Sequence, residues 1–62
     1  WREIVGERIA AMTTYCRLEG VILYIGISSG VARQEIFYRR DELAQRINKR
    51  AGHDIVRSIV VK

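Results

Sequence analysis

A chain of 62 residues makes one small domain, 1–62, with eleven Lys and Arg against seven Asp and Glu, a net charge of +4 and a pI near 9.8. A domain of this size buries only about 60% of its unfolded surface. With one cysteine, Cys16, and one histidine, His53, an intrachain disulfide and a zinc site are excluded, so stability must come from packing, a partner or self-association.

The positive balance is the electrostatic prior for a nucleic-acid or other acidic partner. No apolar run reaches the roughly 18 residues of a membrane span, and no signal-peptide pattern is present. A lone cysteine fits a cytoplasmic setting. The start at Trp1 rather than Met is read as a piece of a slightly longer protein. There is no Pro and no internal repeat.

Residues 1–13 have helical period, with Trp1, Val5, Ile9 and Met12 on one stripe and Ile4 on its flank. Gly6 falls in mid-helix, where it costs about 1 kcal/mol relative to Ala. Close approach of another element is the expected reason. Residues 13–18 switch to strand-type residues, and Glu19-Gly20 is a turn. Residues 21–27 are the clearest strand: Val21, Leu23, Ile25 and Ile27 share one face, Ile22, Tyr24 and Gly26 the other. The stretch 13–27 is a β-hairpin.

Ser28 and Ser29 are N-cap residues for a helix over about Val31 to Ala51. Ala32, Ile36, Leu43 and Ile47 form its core stripe, and Gly52 supplies the left-handed stop. Residues 54–61 are a third strand, with Ile55, Ile59 and Val61 on one side and Val56 and Val60 on the other. A right-handed crossover lays it parallel to a hairpin strand. The expected fold is α+β, with two helices on one face of a three-stranded mixed sheet. Ile22, Tyr24, Val56 and Val60 are then expected on the uncovered face, as an interface for a second copy or another partner.

The long helix poses a conflict. At about 100° per residue, Arg40 falls between Ile36 and Leu43 on the core stripe, and an unpaired buried guanidinium is costly. Arg40 can snorkel to the rim, which requires nothing further and is the default expectation. Alternatively the helix breaks near Tyr38 to Arg40, with Asp41 capping a second helix over 42–51, or Arg40 lies over a groove that an anionic partner fills. The candidate nucleic-acid contacts are Arg33, Arg39, Arg40, Arg46, Lys49 and Arg50. Glu35 and Glu42 are spaced to neutralise part of this set through i,i+4 pairs with Arg39 and Arg46. An exposed Tyr24 or Tyr38 would offer a ring to a base.

No Walker loop, GxGxxG or HExxH motif is present. Ser28, Ser29 and His53 lack the partners that nucleophilic catalysis needs. The chain reads as a non-enzyme, with no cofactor and no metal site.

Trp1 with Ile4-Val5-Gly6, Ala10, Thr13, Gly20-Val21-Ile22, Ser28-Ser29, Arg33, Glu35, Leu43, Ile47-Asn48, Gly52 and Val56-x-x-Ile59 stand in an order and spacing that resembles the DciA family. That resemblance implies a KH-like αββα(α)β domain. It also implies a bacterial replicative-helicase loader or operator in DNA replication, with the helicase and DNA, single-stranded or forked, as partners. The GxxG loop of true KH domains is missing here, so binding would fall to the basic helix edge or to flanking sequence. Gly30-Val31 stands where the family often carries an aromatic residue. The competing expectation is a protein-interaction module that forms a homodimer or docks a partner through its apolar sheet face.

Overall fold

The computed structural model describes residues 1–62. Its elements are α1 (Arg2–Val5), α2 (Glu7–Ala11), β1 (Thr13–Glu19), β2 (Ile22–Ile27), α3 (Gly30–Tyr38), α4 (Arg40–Ala51) and β3 (Ser58–Val61). The strands form one mixed sheet in the order β1-β2-β3, antiparallel between β1 and β2 and parallel between β2 and β3. The α+β class and the mixed sheet are as the sequence implies. The core joins Ile9, Ala32, Ile36 and Leu43 from the helices to Leu23, Ile25, Ile27 and Ile59 from the sheet. All four helices therefore serve one sheet face, with Ile4 and Val5 of α1 packed at the edge of this cluster.

The first helix is not continuous. Gly6 has φ 89 and ψ 165, a backbone region essentially reserved for glycine. It separates α1 from α2. The expected close approach is overturned: a Cβ placed on Gly6 would meet nothing within 4 Å. Glycine stands there for its backbone freedom, and the resulting bend lets Ile4 and Val5 reach the core together with Ile9. The N-terminus is then tied down by a relay. Trp1 Nε1 donates to Thr13 Oγ1 at 2.9 Å, and Thr13 Oγ1 donates to the Ile9 carbonyl at 2.9 Å.

The hairpin turns at Gly20 and Val21, one residue later than expected, because Glu19 pairs with Ile22. Gly20 has φ 60, while no non-glycine residue has positive φ. Positive then negative φ at the two central positions matches a type II′ turn, whose twist suits a hairpin. Val21 thus leaves the strand, and its carbonyl accepts from the Arg57 amide at 2.8 Å. At the other end the register shifts between Thr13 and Tyr15, a β-bulge. A Cβ on Gly26 would collide with the Tyr15 ring and the Thr14 hydroxyl. The ring of Tyr15 lies across Gly26, which has no side chain to hold it away.

The long helix breaks. Arg39, at φ −104 and ψ 13, ends α3 and serves as N-cap of α4. The snorkelling continuous helix is therefore corrected in favour of a bend, and Asp41 lies in the first turn of α4 rather than at its cap. The physical reason is the conflict on the core stripe. Unbroken, the helix would turn Arg40 toward the core. With the bend, Leu43 is buried to 1% exposure, while Arg40 folds outward over Phe37, its guanidinium carbon 4.1 Å from the ring centre. Ser29 caps α3 by accepting from the Ala32 amide, and Gly52 ends α4 at φ 84 in the left-handed region.

The third strand is shorter than expected, Ser58–Val61 rather than 54–61. Asn48 is the cause. Its Oδ1 accepts from the amides of Ile55 and Val56, both at 2.9 Å, and its Nδ2 donates to the Val56 carbonyl at 2.8 Å. These groups are satisfied by a side chain instead of a strand partner, so strand alternation does not extend back through them. Val56 consequently points into the core at 2% exposure. Its expected place on the open face is corrected.

Candidate nucleic-acid interface

The opposite sheet face has no helix over it. Cross-strand partners share a face, so the register assigns Tyr15, Arg17 and Glu19 of β1, Ile22, Tyr24 and Gly26 of β2, and Ser58 and Val60 of β3 to this side. Of the four residues expected to form an apolar interface, Ile22, Tyr24 and Val60 stand here, each half-buried, and Val56 does not.

The six predicted cationic residues divide into two groups. Arg33 lies near the start of α3, lining a hollow with Phe37, and Arg39 and Arg40 lie at the bend between α3 and α4, beside the exposed Phe37 and Tyr38. Those two rings pack edge to face, 6.0 Å apart. Arg33 donates from Nη2 to the Ile27 carbonyl at 3.0 Å, and Arg40 from Nη1 to the Phe37 carbonyl at 2.7 Å. Arg46, Lys49 and Arg50 line a groove of about 350 Å³ between α4 and α1, together with Glu3 and Ile4. Arg46 donates to the Ile4 carbonyl at 3.3 Å, and Arg50 is ion-paired with Glu3.

Partners decide which charges remain available. Arg8, Arg17, Arg39 and Arg50 have carboxylates within 4 Å, namely Glu35, Glu19, Glu42 and Glu3. The expected i,i+4 pairs are replaced. Glu35 reaches across to Arg8 of α2, and Glu42 turns back to Arg39 at 3.1 Å. That hydrogen bond and the attached charge hold the Glu42 carboxyl below its usual range and raise the Arg39 guanidinium. Arg39 and Arg50 are therefore the weaker members of the predicted set.

Arg33, Arg40, Arg46 and Lys49 have no carboxylate partner. Three of them donate to backbone carbonyls, which orient the guanidinium without cancelling its charge. Four cations with no carboxylate within 4 Å thus stand on the two long helices, three of them hydrogen-bonded to backbone carbonyls, and Arg46 acts at longer range on Glu42. This arrangement can hold phosphates.

Two contributors were not foreseen from sequence. Lys62 Nζ and the Arg17 guanidinium each lie 5.8 Å from the Tyr24 ring centre. Their convergence depends on the register of three strands, and local spacing carries no signal for it. Asn48 belongs to the family-like pattern, yet its clamp on Val56 is visible only once the chain folds back.

The fold defines a small α+β module with a cationic helical surface on one side and an uncovered sheet face on the other. Residues 1–61 match the model of the family described as Dna[CI] antecedent, DciA, and the chain belongs to that family. Membership supports a helicase-loader-like role in replication initiation, with the replicative helicase as partner; such proteins are loaders or adaptors rather than enzymes. No curated protein and no solved structure matches the chain. No helix is long and apolar enough to cross a membrane.

Proposed function

We propose that this domain is a nucleic-acid-binding adaptor that holds DNA beside the replicative helicase, using the cationic surface of α3 and α4. The observation that carries this reading is the set Arg33, Arg40, Arg46 and Lys49, none with a carboxylate within 4 Å although Glu35 and Glu42 lie on the same helices. Arg39 and Arg50 contribute less because Glu42 and Glu3 neutralise them. Phosphate contacts of this kind carry no sequence preference and weaken steeply with salt.

Titration of labelled single-stranded and forked DNA at low and moderate salt tests the reading. Binding at low salt that falls away as salt rises supports it. Absence of binding at low salt sinks it for this domain. The rival reading, a homodimer held by an apolar sheet face, has lost Val56 to the core. The large residues most exposed to solvent, Val31 and Tyr38, belong to α3 rather than to the sheet.

A further inference from the structure

The uncovered sheet face is chemically unlike the helical surface. Tyr15 lies across Gly26, so its ring rests against the sheet while 43% of the residue stays exposed. Tyr24 occupies the next position on that face of the neighbouring strand, diagonal to Tyr15. Diagonal positions place Cβ atoms about 7–8 Å apart, within reach for long side chains. Arg17 and Lys62 lie over the Tyr24 ring, each 5.8 Å from its centre, and Arg17 is also ion-paired with Glu19. Ile22 and Val60 share the face and are half-buried.

From this arrangement we infer that the open sheet face is a second site, which stacks the unpaired bases of a single-stranded nucleic acid on Tyr15, and on Tyr24 once the exposed Lys62 turns from its ring to an adjoining phosphate; Arg17, paired with Glu19, contributes less. The inference takes its ligand class from the nucleic-acid reading above, but it assigns a different face and a different interaction. Phosphate contacts alone do not distinguish single from double strands. Rings laid on a sheet do, because a base is free to stack only when unpaired. Charge complementarity favours this occupant over a second copy of the chain. Glu19 balances Arg17 while Lys62 has no carboxylate within 4 Å, so the face keeps a net positive charge and two such faces brought together would oppose each other.

The test compares an oligothymidylate with an abasic strand of equal length, titrated against the 62-residue chain at low salt. The intact chain should bind the natural strand about tenfold more tightly than the abasic one. Tyr24→Leu and Tyr15→Leu should each shrink that ratio, with the far-ultraviolet circular dichroism unchanged. A 2-aminopurine placed within the strand should be quenched by the intact chain and not by Tyr24→Leu, which keeps the test independent of affinity. Equal binding of natural and abasic strands by the intact chain overturns the inference. So does a result in which the leucine variants break up a dimer in light scattering and leave the ratio unchanged, since the face would then join two copies. Failure of the helical reading looks different: Arg46→Gln with Lys49→Gln would leave both strands bound as before.

Discussion

Replacing Asn48 by Ala should destabilise this domain more than any other single change at a polar position. One side chain makes three hydrogen bonds, at 2.8, 2.9 and 2.9 Å, to the loop that carries Val56 into the core. A typical intramolecular hydrogen bond contributes about 1 kcal/mol net, so the clamp contributes about 3 kcal/mol. Its loss also leaves the half-buried amide of Ile55 and the amide and carbonyl of buried Val56 without partners. A domain of this length holds a total stability of roughly 3–9 kcal/mol. Asn48→Ala should therefore remove a third or more of the margin and lower the midpoint of thermal unfolding by about 10–20 °C. Asn48→Asp keeps the two acceptor interactions and loses the donor to Val56, so it should fall between Ala and the native residue. Urea unfolding followed by circular dichroism measures the loss, and amide exchange at Ile55 and Val56 locates it. A loss below about 0.5 kcal/mol, the range of ordinary surface substitutions, would refute the role given to Asn48.

Gly6→Ala should cost about 1–3 kcal/mol through backbone strain alone, because its φ is 89 and no atom lies within 4 Å of the added methyl; urea midpoints check this. Gly26→Ala should destabilise by about 1–3 kcal/mol through overpacking against Tyr15 and Thr14, and Tyr15→Ala in the same chain should recover part of the loss. The Glu42 carboxyl should titrate below its ordinary value, chiefly because of Arg39, and Arg39→Gln should move it back up, with Arg46 retaining a smaller downward effect. Its folded pKa lies below the unfolded one, so its stabilising contribution is present above the unfolded pKa and is lost as pH falls through the folded one. Carbon-detected NMR titration of Glu42 in both chains measures the shift. The Cys16 thiol, raised by partial burial, should alkylate more slowly at neutral pH than a free thiol, as mass spectrometry over a time course would record.

Much of the fold was legible because the core follows local periodicity. Leu23, Ile25 and Ile27 alternate, Ala32, Ile36 and Leu43 follow the helical stripe, and every one of them is buried. The conflict at Arg40 was legible as well, although its resolution depended on whether a bend or an extended side chain costs less in the packed domain. Two features escaped because they arise from distant partners. The alternation of Ile55 to Val61 reads as one strand until Asn48, seven and eight residues before Ile55 and Val56, claims their amides. Gly6 looks like a packing glycine until the chain is seen to bend there. The candidate cations were legible by type and place, but their strength was not. Whether Glu35 serves Arg39 or Arg8 is settled by the fold bringing Arg8, 27 residues away in sequence, within reach of Glu35.

The central claim is that cations without a carboxylate partner on α3 and α4 hold nucleic-acid phosphates. The most direct measurement is the dependence of the binding constant on salt for a labelled single strand, in the intact chain and in the Arg46→Gln, Lys49→Gln double variant. Each phosphate contact on a single strand contributes about 0.7 to the slope of log K against log salt. The double variant should bind more weakly and its slope should be shallower by about 1.4. Parallel lines of equal height for the two proteins would contradict the assignment of these residues to the interface.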